Sequence, residues 1–126
     1  MLAASFLNLA ATVNFLRQKN FLEIVIVCAG TGDNPASEDV IAAGALVDLL
    51  APANDTQTRK CPNSVAARVA YVEAMRWGLE GTIGRAQNGR RLLDNPDLRS
   101  DVAFCAQRDV FDMVAIMDAN GALKRL

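Results

Sequence analysis

Apolar positions near the start of the chain recur at Phe6, Leu9, Ala10, Val13 and Leu16, the three-and-four spacing of one helix face. That spacing predicts a helix over residues 5–17, opening near Ser5 or Asn8. The period then changes. Residues 21–28, FLEIVIVC, are β-branched and almost continuously apolar, the pattern of a central strand covered on both faces. A glycine loop follows at residues 30–34, and Pro35 after an Asn34 cap predicts a second helix. Its Val40, Ile41, Ala43, Gly44, Leu46, Val47 and Leu50 make it apolar nearly all round, hence buried.

Residues 51–63 are polar and rich in turn formers, which predicts a surface loop rather than a domain boundary. From Ser64 a third helix carries Val65, Val69, Val72, Met75 and Leu79 along one stripe, with Arg68, Glu73, Arg76 and Glu80 mostly off it. Gly78, Gly81 and Gly84 loosen that pattern, after which a short helix is expected from about 83 to 93, stopped at Asn95-Pro96. Residues 102–105 and 113–116 read as short strands, and Asn120-Gly121 marks a turn before a last strand at 122–126. Helix, strand, helix, helix, helix, strand, strand is the order of an α/β protein: a layered sheet flanked by helices, in a single domain over residues 1–126.

A chain of 126 residues is long enough for one domain with a real core. With 52% hydrophobic residues and a net charge of -1, it has neither the composition of a disordered tail nor the positive field of a nucleic-acid-binding surface. Its apolar runs end well before the ~18 residues a membrane helix needs, and its first residues lack a signal peptide's basic region. No membrane partner and a cytoplasmic location are therefore expected. Cys28, Cys61 and Cys105 are an odd number without metal-type spacing, so free thiols are expected and no zinc site. Asn54-Asp55-Thr56 fits a glycosylation sequon, which matters only in a secreted chain. The chain contains no histidine, which removes Ser-His-Asp triads, Cys-His pairs and phosphohistidine chemistry together. Carboxylates, thiols, arginines, backbone amides or a metal are left.

Residues 27–44, VCAGTGDNPASEDVIAAG, read as strand, glycine loop and helix, the place where open α/β sheets bind anions. The specific nucleotide motifs are absent: Pro35 stands where a dinucleotide fingerprint needs glycine, and no Gly-Lys-Ser/Thr occurs. A small nucleotide- or cofactor-binding module is disfavoured accordingly. A cysteine phosphatase needs arginine six residues after its nucleophile, where this chain has Asn34, Ala67 and Phe111. Asp109 and Asp112 lie three apart and make no Asp-x-Asp nucleophile motif. Glu38-Asp39 beside the loop is a hard-oxygen arrangement suited to Mg²⁺. The same residues also make sense without a ligand. Acids in a first helical turn gain ~0.3–1 kcal/mol from the macrodipole, glycines serve the turn, and Cys28 can be a small core residue.

The segment "CAGTGDNPASEDVIAAGA" resembles the "CAG…G…EDv…AGa" stretch of the 2-phosphosulfolactate phosphatases (ComB family). Ser5-Phe6-Leu7-Asn8, Asn88-Gly89-Arg90-Arg91-Leu92 and Asp101-Val102-Ala103-Phe104-Cys105-Ala106 resemble three more of the family's segments, in the same order. Asn88 stands where the family has histidine. The likeness runs along essentially the whole chain, yet only along the C-terminal half of a typical member, and Met1 falls where the family has an interior residue. A fragment, a truncated gene or a separately expressed half is therefore expected.

What the resemblance implies is a Mg²⁺-dependent phosphatase that hydrolyses 2-phospho-3-sulfolactate to 3-sulfolactate and phosphate, a step of the coenzyme M biosynthesis type, acting on a small anionic phosphate ester. Glu38 and Asp39 would then be catalytic and metal-binding carboxylates, with Asp101 a further ligand or merely the start of a strand. Gly30, Thr31 and Gly32 would present amides to phosphate, Asn8 would hydrogen-bond the substrate or the loop, and Arg90 and Arg91 would pair with sulfonate or carboxylate, or one of the two would belong to a solvated helix face. Cys28 joins the catalytic candidates, although it and Cys105 are read as packed against the site rather than nucleophilic. The alternative is a catalytically inactive fragment that binds anions or self-associates, as a homodimer or with a missing N-terminal half.

Overall fold

The computed structural model describes residues 1–51 and 61–126, in which six helices pack beside a small three-stranded antiparallel sheet, an α/β architecture. Strand β1 (Leu2–Ala3) leads into a 3₁₀ turn at Phe6–Asn8 and helix α1 (Leu9–Lys19). The predicted first helix is thus present, running two residues further and ending at Asn20 in the left-handed conformation. Helix α2 (Ser37–Leu50) and helix α3 (Pro62–Trp77) follow, then three short helices, α4 (Leu79–Arg85), α5 (Gln87–Leu93) and α6 (Arg99–Cys105). Strands β2 (Ala115–Met117) and β3 (Leu123–Arg125) close the chain, and β2 lies between β1 and β3.

The core lies where α2 crosses α3. Gly44 makes the crossing close: a methyl group there would sit 2.0 Å from the Ala67 carbonyl oxygen of α3. Ile41, Ala45 and Leu46 of α2 meet Tyr71 and Ala74 of α3, and Phe6, whose ring stacks 6.5 Å from that of Tyr71. The all-round apolar character of α2 is accounted for by this burial.

Three expectations are corrected. Residues 21–28 are neither a strand nor covered on both faces; they form no ladder, and Val25 and Val27 are 77% and 79% exposed. A strand exists only through its neighbours, and none of the three strands pairs with this segment. Residues 102–105 belong to helix α6 instead of a strand, since only Val102 is buried and no partner offers a ladder. The helix expected over 83–93 is two helices, broken at Ala86, whose extended backbone turns α5 back onto α4. There a methyl group on Gly89 would meet the Ile83 carbonyl oxygen at 2.0 Å. The C-terminal hairpin does form, with its first strand one to two residues later than predicted. The expected loop at 51–63 and the sequon within it fall largely outside the described residues, although α3 already begins at Pro62. Among the described residues no helix is long and apolar enough to cross a membrane.

Candidate functional site

The site grows from the turn that precedes α2. Gly30 has φ +74°, and a side chain there would come within 2.8 Å of the Asn34 carbonyl oxygen, so the position requires glycine. The Thr31 N–H donates to Asn34 O at 2.9 Å and the Asn34 N–H returns to Thr31 O at 3.2 Å, closing a tight turn over Gly32 and Asp33. Asn34 is consumed by that turn, so the expected Asn34 cap and Pro35 first position are not used. Helix α2 begins at Ser37 after Ala36, with no side-chain cap.

Glu38 and Asp39 occupy the first turn of α2, where their negative charge complements the positive end of the helix dipole. Asp39 folds back onto the glycine turn, and Glu38 is linked to it through Asn88. Asp39 Oδ2 accepts the Gly30 N–H at 2.7 Å. Glu38 Oε1 accepts Asn88 Nδ2 at 2.5 Å, and the same nitrogen donates to Thr31 Oγ1 at 2.7 Å. An amide nitrogen carries two protons, so Asn88 satisfies a carboxylate and a hydroxyl at once. It lies in the first turn of α5 and is half-buried, as are Glu38 and Asp39.

Cys28 borders the same region, lining a cavity of about 340 Å³ together with Asp39. Partial burial and the neighbouring Asp39 carboxylate push its thiol above the ordinary value, which keeps the thiolate scarce at neutral pH. That fits a packed role better than a nucleophilic one, although the expected core position is not found: Cys28, Cys61 and Cys105 are all free and exposed.

Four other candidates are placed differently. Asn8 is buried and its amide is engaged internally: Oδ1 accepts from Ser5 N at 2.9 Å, and Nδ2 donates to Ala3 O and Met113 O at 3.2 and 3.4 Å. It ties the first residues to the approach to β2. Asp101 sits exposed in the first turn of α6, and among the described residues no three acids or thiols come together as a metal cluster. Arg90 and Arg91 are exposed in the last turn of α5. Arg91 is three residues beyond Asn88 and shares its face of the helix, whereas Arg90 is two beyond and diverges. Of the loop amides expected to cradle phosphate, those of Gly30 and Thr31 are already donated to Asp39 and Asn34.

A family model described as 2-phosphosulpholactate phosphatase matches residues 1–120. The chain belongs to that family. A probable 2-phosphosulfolactate phosphatase of Nostoc punctiforme is 32% identical over 130 residues, covering 98% of this chain and 51% of the relative. One of the same description from Thermotoga petrophila is 34% identical over 114 residues, covering 90% of this chain and 46% of the relative. The chain thus spans about half the length of these phosphosulfolactate phosphatase relatives.

Were a divalent cation held at this turn, Glu38 and Asp39 are the carboxylates that would hold it, and Asp101 on α6 is not grouped with them. Glu38 and Asp39 each accept an N–H at one oxygen, and Glu38 Oε2 and Asp39 Oδ1 are the carboxylate oxygens a cation would use. Mg²⁺ is commonly held by one or two carboxylates, with water and substrate phosphate completing its shell. The sequence signal that pointed to Asn88 was present in Asn88-Gly89-Arg90-Arg91-Leu92, but its partners lie 50 and 57 residues away.

Proposed function

We propose that this chain carries the metal- and phosphate-binding part of a cytoplasmic, Mg²⁺-dependent phosphatase that hydrolyses 2-phospho-3-sulfolactate to 3-sulfolactate and phosphate. The observation that carries the reading is the double hydrogen bond of Asn88, which holds Glu38 over Thr31 while Asp39 is held on Gly30. Two acids from one helical turn are thereby aimed at one glycine loop.

A divalent cation bound there supplies charge neutralisation on the phosphoryl oxygens. Glu38 and Asp39 hold it, and their bonds to Asn88 and Gly30 keep both carboxylates from swinging into solvent. The first backbone N–H groups of α2 lack intrahelical acceptors and face the same end of the helix, where an anion is favoured. Arg91, on the Asn88 side of α5, supplies a guanidinium fork for the sulfonate or carboxylate of the substrate. No histidine and no poised thiolate is required by this division of labour.

Phosphate release from racemic 2-phospho-3-sulfolactate by the 126-residue chain, with Mg²⁺ and with EDTA, tests the proposal beside a Glu38→Ala, Asp39→Ala double variant. Metal-dependent turnover lost in the variant supports it. The second reading is a chain that binds anions without turnover, and the uncovered segment 21–28 favours it, because a site bordered by unfilled surface is open to water. Absence of turnover from a folded chain that still binds inorganic phosphate would establish that reading.

A further inference from the structure

Residues 21–28 present apolar side chains to solvent and, among the described residues, a backbone without ladder partners. Phe21, Leu22, Val25 and Val27 are each more than half exposed, and within the run only Ile26 packs against the core. Glu23 is the one charge in the stretch. Beneath it, the cavity of about 340 Å³ separates residues 24–29 from Leu9, Thr12 and Leu16 of α1 and from Ala42 and Leu46 of α2. Thr12, only 1% exposed, lines that cavity, and its hydroxyl has no hydrogen-bond partner among the described residues.

These features ask for one kind of occupant. Unpaired amides and carbonyls in a β-branched run are satisfied by the main chain of a neighbouring strand, and exposed valines by apolar cover. The buried Thr12 hydroxyl needs a further polar group brought into the cavity. A small ligand supplies neither a ladder nor a covering layer. The relatives from Nostoc punctiforme and Thermotoga petrophila carry about as much chain outside the matched part as within it. We infer that segment 21–28 is a docking strand for the polypeptide corresponding to that unmatched half, which adds a β-strand beside it and covers Val25 and Val27. The inference is independent of which reaction the site performs.

The test is co-expression of the tagged 126-residue chain with the unmatched half of the Nostoc punctiforme relative as a separate polypeptide, followed by affinity capture and hydrogen exchange. The expected result is an equimolar complex in which the amides of residues 22–28 exchange about a hundredfold more slowly than in the chain alone. Val25→Lys with Val27→Lys, at positions exposed in the isolated chain, should leave its circular dichroism unchanged and abolish capture. Three results would overturn the inference: no capture of the second polypeptide, a complex in which residues 22–28 exchange as fast as before, or protection of those amides by a second copy of this chain.

Discussion

Asn88 Nδ2 lies 2.5 Å from Glu38 Oε1, joining the first turn of α5 to the first turn of α2 across 50 residues of sequence. Because Asn88 reaches the carboxylate and not the backbone of α2, it sets the direction of the acid without setting the helix. Asn88→Ala should therefore weaken Mg²⁺ binding about tenfold, the usual cost of losing a residue that orients a ligand. Isothermal titration of the chain with Mg²⁺ checks this, and unchanged affinity would remove Asn88 from the site.

Gly44 and Gly81 should respond to alanine with opposite signs. At Gly44 the new methyl group meets the Ala67 carbonyl oxygen at 2.0 Å, so α2 and α3 must separate, at a cost of about 3 kcal/mol or more. At Gly81 the nearest atom is 3.6 Å away at the end of the flexible Arg85 side chain, and helix propensity should stabilise the protein by about 0.5–1 kcal/mol. Urea unfolding of the two variants measures both.

The thiols should be alkylated in a fixed order. Cys61, before the first turn of α3, accepts hydrogen bonds from the Ser64 hydroxyl and backbone that lower its pKa, whereas burial and Asp39 raise that of Cys28. The thiolate is the reactive form, so at any pH below the ordinary thiol value Cys61 carries more of it and reacts sooner. Peptide mass spectrometry after timed iodoacetamide treatment near pH 8 reads the order. Asp39→Asn removes the repelling charge and should speed the reaction at Cys28.

Acid should loosen the C-terminal hairpin first at its turn. The Asp118 carboxylate, 2.7 Å from Lys124 Nζ and accepting the N–H groups of Asn120 and Ala122, is held below the ordinary value of 3.8. A depressed folded pKa contributes stability that is full above the unfolded value and is lost as pH falls through the folded one. Hydrogen exchange at Leu123–Arg125 should therefore be insensitive to this group at neutral pH, after correction for intrinsic rates, and show reduced protection below about pH 4. Asp118→Asn should show the loosened hairpin at neutral pH.

What the sequence made legible was whatever depends on neighbours along the chain. Helices α1, α2 and α3 follow from apolar spacing, and the hairpin turn from Asn120-Gly121. Residues 21–28 have the composition of a buried strand, yet ladder formation depends on a partner strand that composition cannot supply. Residues 102–105 show the converse, a strand-like composition held as helix because one residue, Val102, needs burying. In the site, Glu38 and Asp39 were visible because they sit beside the glycines that the turn requires. Asn88 stood out in its segment but its partners in a different helix and turn did not, and the loop amides looked available because nothing in the sequence shows that Asp39 and Asn34 already accept from them.

Helix α5 has seven residues, too few to persist as an isolated helix in water. Asn88 is thus in place only while Gly89 lies against Ile83, and the donor that completes the site is delivered by tertiary packing alone. A local opening of this one short helix would dismantle the site while α2 and α3 stayed folded, so binding competence and global stability are set by two separate equilibria in this molecule.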